Sequence, residues 1–135
     1  MIYKIIDIEG IGPVYAEKLL AAGIKTDKDL LEKCCKPKGR KALAEETGIT
    51  EKLILTWANH SDLMRIDGVG PQFSELLEAA GVDTVKELRI RKAENLQPKL
   101  EAVNAEKNLC NRVPSLKEVE KMIAQAKELP PMMEY

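Results

Sequence analysis

The segment Ile8 to Leu30 recurs 58 residues further along the chain, as Ile66 to Leu88. IEGIGPVYAEKLLAAGIKTDKDL and IDGVGPQFSELLEAAGVDTVKEL agree at roughly half their positions, and most of the remaining pairs are conservative. A duplication of this length narrows the fold more than any composition does. It implies two copies of one supersecondary unit, each too small to hold a large core of its own.

Each copy reads as an apolar segment, a Gly-x-Gly turn and a helix that stops at a further glycine. Pro13 and Pro71 suit the first helical position, where the fixed φ is already helical and the missing N–H would have had no partner. Gly12 and Gly70 then fall at the N-caps. Tyr15, Ala16, Leu19 and Ala22 in one copy, with Phe73, Leu77 and Ala80 in the other, make buried stripes at three-and-four spacing. Gly23 and Gly81 read as left-handed C-terminal caps. Thr26 and Thr84 stand before acidic and apolar runs, Asp27 to Leu31 and Val85 to Leu88, which predicts a capped third helix in each copy. Ser61 reads as the N-cap of the helix leading into the second turn. The first copy has little chain before Ile8, so its leading segment is expected to be short or irregular.

Gly10-Ile11-Gly12-Pro13, followed by Ala16, Leu19 and Leu20, closely resembles the helix-hairpin-helix motif. Between the copies, Ala42 to Asn59 reads as helix, Gly48-Ile49-Thr50 turn and helix, and resembles the degenerate second hairpin in the N-terminal domain of archaeal recombinases. Leu109 to Ala126 occupies the matching place in the second half, with Val113-Pro114-Ser115 at its turn. Taken whole, the chain resembles a family of small tandem helix-hairpin-helix proteins that carries only a domain-of-unknown-function label. The resemblance implies an all-α fold of two tandem helix-hairpin-helix (SAM-like) units packed pseudo-symmetrically. Their expected bounds are residues 1–60 and 61–129, with a C-terminal tail at 130–135.

With 44% hydrophobic residues but only 4% aromatic ones, Leu, Ile and Ala must fill the core, which suits small, closely packed helices. Trp57 falls with Leu53 and Ile54 at helical spacing and reads as core. No apolar run approaches the roughly 18 residues of a membrane span and no signal-peptide pattern opens the chain, so a soluble, cytoplasmic protein with no membrane partner is expected. Cys34, Cys35 and Cys110 are odd in number and lack Cys-x-x-Cys spacing, and His60 is the single histidine. Buried or half-buried reduced thiols are therefore expected, rather than a metal site or a disulfide. His60, within Asn59-His60-Ser61-Asp62, reads as a cap or linker between two helices. Pro130-Pro131 ends the last helix, leaving Met132 to Tyr135 either to fold back over the other unit or to act as a short docking peptide.

A Gly-x-Gly ahead of a helix exposes backbone N–H groups, which with the partial positive charge of the helix N-terminus can hold a phosphate oxygen. The resemblance implies that Gly10, Ile11 and Gly12, with Gly68, Val69 and Gly70, grip nucleic-acid phosphates without reading bases. Lys18 and Arg65 are candidate cations beside the turns. Lys38 and Arg40, in a cluster from Lys33 to Lys41, and Arg89 and Arg91, in one from Lys86 to Lys92, extend the candidate surface. Against strong binding stand a net charge of −1, the acids Glu9 and Asp67, and Val14-Tyr15 and Gln72-Phe73 where DNA-binding versions carry a cation and a hydroxyl.

Two functional readings follow. One is weak, sequence-independent binding of a DNA or RNA backbone. The other is a protein-interaction or scaffolding module without nucleic-acid contact, in which the glycines only make a tight turn that buries Ile11 and Val69. In that case the basic clusters complement helix C-termini and solubilise the surface. No paired carboxylates, Gly-x-x-x-x-Gly-Lys loop, cofactor site or small-molecule substrate is evident, so no enzyme activity is expected.

Overall fold

The proline-led helices and their glycine-marked ends form where the repeat puts them. The computed structural model describes residues 2–135 and contains eight α-helices among them. These are α1 Pro13–Ala21, α2 Asp27–Cys34, α3 Pro37–Thr47, α4 Glu51–Leu63, α5 Pro71–Ala79, α6 Val85–Leu88, α7 Ala93–Lys107 and α8 Leu116–Glu128. A 3-10 turn at Ile5–Asp7 is the irregular leading segment of the first copy. The described residues contain no strand, only an antiparallel bridge between Lys4 and Thr26. The chain is all-helical.

The two Gly-x-Gly turns have the same backbone form. Gly10 has φ 90° and Gly68 φ 88°, a region costly for any residue with a Cβ. The next amide closes each turn, Ile11 onto the Ile8 carbonyl and Val69 onto that of Ile66, both at 3.1 Å. Gly12 and Gly70 are N-caps in extended conformation, and Pro13 and Pro71 follow at the first helical position. At the far ends, Gly23 donates to Leu20 and Ile24 to Leu19, while Gly81 donates to Glu78 and Val82 to Leu77. That paired pattern satisfies the last carbonyls of α1 and α5 and seats Ile24 and Val82 against the helices they terminate.

One difference between the copies lies under the first glycine. A Cβ on Gly10 would stand 3.3 Å from Trp57 Nε1, whereas one on Gly68 meets nothing within 4 Å. Gly68→Ala should therefore cost only the positive-φ strain, about 1–2 kcal/mol. Gly10→Ala should cost about 1 kcal/mol more, because the indole must also move. Denaturant unfolding of the two variants checks this, and equal losses would contradict it.

Thr26 caps α2 reciprocally: its Oγ1 accepts the Asp29 N–H at 3.1 Å, and Asp29 Oδ2 accepts the N–H groups of Thr26 at 3.1 Å and Lys25 at 3.0 Å. The Lys25 amide is the main cause holding the Asp29 carboxyl below its usual pKa. Thr84 caps α6 through the Glu87 N–H at 3.2 Å. Ser115 and Glu118 form a second capping box, at α8. There Arg112, bonded to both Glu118 oxygens at 2.8 and 2.9 Å, with help from the Ser115 amide, brings the Glu118 pKa down to about 2.

Three local expectations are corrected. Ser61 is not an N-cap and His60 is not in a linker, because α4 runs unbroken through both, and both are buried. Nothing in Asn59 to Asp62 breaks a helix, and the Ser61 hydroxyl satisfies itself by donating to the Trp57 carbonyl at 3.0 Å. The α7–α8 connection also begins earlier than Val113. It leaves α7 through Asn108 in the left-handed region, φ 52°, and is clamped by the Asn104 carboxamide, which bonds both the N–H and the carbonyl of Cys110.

The chain divides into two units, one running as far as Asp62 and including Met132–Tyr135, the other Leu63–Pro131. The boundary thus lies just beyond residue 60. In the first unit, Trp57, Ile54, Leu43, Leu30 and Leu19 are fully buried, and the Tyr15 ring meets Trp57 edge-on at 5.1 Å. In the second, Leu63, Leu76, Leu77, Leu88 and Leu100 anchor the core, with Phe73 packed at its margin. The tail is built into the first unit. Met133 is buried, the Glu134 N–H donates to the Cys35 carbonyl at 2.8 Å, and the Tyr135 hydroxyl donates to Asn59 Oδ1 at 3.1 Å.

Candidate nucleic-acid interface

The turns that could meet a phosphate present fewer donors than their sequence implies. Ile11 and Val69 are corrected first: each amide already closes its own turn and each side chain is core, at 4% and 1% exposure. Neither can turn an N–H outward. Gly10 and Gly68 are exposed, and Gly12 and Gly70 half-buried. Because Gly12 and Gly70 lack a side chain, α1 and α5 start without a side-chain cap. The first-turn amides of Val14 and Tyr15, and of Gln72 and Phe73, therefore lack the usual intrahelical partner. Each turn thus offers a patch of backbone donors at a positive helix end.

The candidate cations divide sharply. Arg40 is corrected: it is 5% exposed, and its guanidinium donates to the carbonyls of Cys34 at 2.9 Å and Glu134 at 2.8 Å. It caps the end of α2 and holds the tail, so it has no face for phosphate. Arg65 is half-buried and donates to the Pro130 carbonyl at 2.7 Å. Arg89 reaches the Lys127 carbonyl at 3.3 Å, near the C-terminus of α8, where a cation complements the helix dipole. Arg91 donates to Glu87 at 2.7 Å and to the Gly81 carbonyl at 3.1 Å. Lys18 and Lys38 are exposed. All four arginines donate to backbone carbonyls of their own unit, and the two lysines face water.

The basic clusters are also not simple helix-end complements. Lys33 lies in the last turn of α2, but Lys36 is the N-cap of α3 and Lys38 lies in its first turn. Lys92 likewise is the N-cap of α7. A cation there opposes the macrodipole, so these lysines weaken the helix starts they occupy. Their placement gathers cationic side chains at the α2–α3 and α6–α7 junctions. The sequence shows the clusters but not that they also open α3 and α7.

The three cysteines are free thiols. Burial pushes the Cys34 thiol up to about 11, while Cys35 beside it is half-buried. At pH 8 an alkylating reagent should modify Cys35 well before Cys34, since only the thiolate reacts. Time-resolved mass spectrometry checks this, and equal rates would contradict it. Among the described residues no group of His, Cys, Asp and Glu is placed to hold a metal ion, and no helix is long and apolar enough to cross a membrane.

No curated protein and no solved structure matches the chain. A family model does match, and it covers residues 9–129, from the first Gly-x-Gly turn through the end of α8. Both Gly-x-Gly turns lie within the matched span, and the chain belongs to the family described as Domain of unknown function (DUF4332).

Proposed function

We propose that the protein is a non-catalytic helix-hairpin-helix protein that binds nucleic-acid backbones weakly and without sequence preference. The observation that carries this reading is the matched pair of turns. Gly10 and Gly68 hold the same left-handed conformation, and each turn delivers the chain into a proline-led helix without a side-chain cap. Backbone amides so arranged suit phosphate oxygens and carry no base information. A cytoplasmic setting fits the free thiols.

Few strong charges flank the turns, so the expected affinity for a labelled duplex is weak, with Kd about 10⁻⁴ to 10⁻⁶ M. Fluorescence anisotropy at low salt tests it. The absence of binding to duplex and single-stranded DNA and RNA alike would remove the reading. One observation favours the alternative, a protein-binding module: Val14, directly after Pro13, is 67% exposed and apolar. On that account affinity purification would recover a protein partner whose association survives nuclease treatment.

A further inference from the structure

A hollow of about 320 Å³ opens in the second unit where the chain enters α7. It is lined by Ile90, Arg91, Lys92, Asn95, Leu96 and Lys99, so its lining, drawn from the described residues, holds three cations, one carboxamide and no carboxylate. Lys92, Asn95, Leu96 and Lys99 follow one another at i, i+3, i+4 and i+7 and thus share one face of α7. Arg91 is held in place from behind by Glu87 Oε1 and the Gly81 carbonyl. Lys99 Nζ and Arg91 Nη2 both lie within 4 Å of the point where a Cβ on Gly81 would stand. Glu87, 2.7 Å from Arg91 Nη2, offsets the Arg91 charge, but neither Lys92 nor Lys99 forms an ion pair among the described residues. An anion in the hollow would partner these two lysines.

The neighbouring surface defines the anion further. The adjoining hollow, of about 470 Å³, includes Glu94, Glu120 and Glu128 and is of mixed charge, so the lining free of carboxylates is that on the Lys99 side. Ile90, 71% exposed, and buried Leu96 give that side an apolar wall and floor. The volume is at the lower end of small-ligand pockets, roughly 300–1,000 Å³, and exceeds the needs of a bare ion. In the first unit, the corresponding helix start already carries a carboxylate: Glu134 of the tail stands 3.7 Å from Lys36, the N-cap of α3. In the second unit Glu87 pairs with Arg91, whereas Lys92 and Lys99 have no such carboxylate among the described residues.

We infer that this hollow binds a phosphate ester carried on a sugar, with Lys92 and Lys99 contacting the phosphate and Arg91 fixed beside it. The inference rests on the backbone-binding reading in one respect, since it adds a cationic phosphate contact to the uncharged ones of the glycine turns. The same chemistry is offered by a nucleic-acid strand and by a free nucleotide, and the test separates them.

The test uses the full chain with two probes, a labelled single-stranded oligodeoxynucleotide and a nucleoside 5′-monophosphate. Lys92→Glu/Lys99→Glu is compared with Lys28→Glu/Lys52→Glu, which changes net charge equally at exposed positions of the first unit. The first variant should weaken oligonucleotide binding about tenfold or more and reduce the log-log salt slope by about 1.4, while the control changes affinity less than about threefold. Amide NMR of the unaltered protein should show shifts centred on Lys92, Asn95 and Lys99, a readout that does not depend on any variant folding. If the unaltered protein binds the oligonucleotide and both variants behave alike, with shifts elsewhere, the inference falls and backbone binding stands. If it binds only the monophosphate, with shifts at these residues, the hollow stands and nucleic-acid binding falls. Binding of neither probe overturns both.

Discussion

Gly39→Ala should destabilise the first unit by about 3 kcal/mol or more. Gly39 is the third residue of α3, and a Cβ there would fall within overlap of the Lys33 carbonyl oxygen, with the Lys33 carbonyl carbon at 3.0 Å. The obstacle is backbone in the last turn of α2, which cannot rotate away as a side chain could. Helix propensity alone would favour the change by about 1 kcal/mol, since alanine is the better helix former. Steric exclusion is the larger effect and decides the sign. Trp57, the single tryptophan and part of the first unit, reports on that unit by fluorescence. An unchanged denaturation midpoint would show that α2 and α3 do not approach so closely.

Trp57→Ala should cost about 3–5 kcal/mol, as truncation of a buried Trp leaves a large cavity. Trp57 is 1% exposed. Its ring contact with Tyr15 adds about 0.5–1.5 kcal/mol of edge-to-face attraction that the variant also loses. Domains of this size have about 5–15 kcal/mol in all, so the first unit would keep little stability. The indole also lies beneath Gly10, so the turn at Gly10 should loosen while that at Gly68 stays intact. Circular dichroism melting follows the loss, and amide exchange at the two turns resolves its location. A melting temperature within a degree or two of the parent would contradict a core role.

What was legible in the chain is what local chemistry dictates. Pro13, Gly23 and Thr26 each have one conformational use at a helix end, and the second copy repeats them at Pro71, Gly81 and Thr84. The duplication therefore read correctly as helices, turns and caps. Arg40 was misread because a buried arginine and a surface arginine are the same letter, and its partner Glu134 lies 94 residues away. Gly39 gave no signal because its requirement comes from a neighbouring helix. Ser61 and His60 looked like punctuation, yet burial in the first unit keeps α4 continuous through them. Lys99 was absent from the candidate surface because its approach to Arg91 and Gly81 is made by folding and not by proximity in sequence.

The candidate interface changed in kind between sequence and structure. Gly10, Gly12, Gly68 and Gly70 keep the exposure or uncapped helix start that a phosphate site needs. Ile11, Val69 and Arg40 are committed to internal bonds. With those removed, the phosphate contacts available are few, and the low affinity proposed above rests on their number as well as on the charge.

The salt dependence of duplex binding tests the central claim most directly, because the slope counts phosphates displaced from counterions irrespective of sequence. If two turns engage one or two phosphates each, the slope of log K against log salt should lie at about −2 to −4 and be the same for unrelated sequences. A slope near zero, or no binding at low salt, would contradict a backbone-binding role.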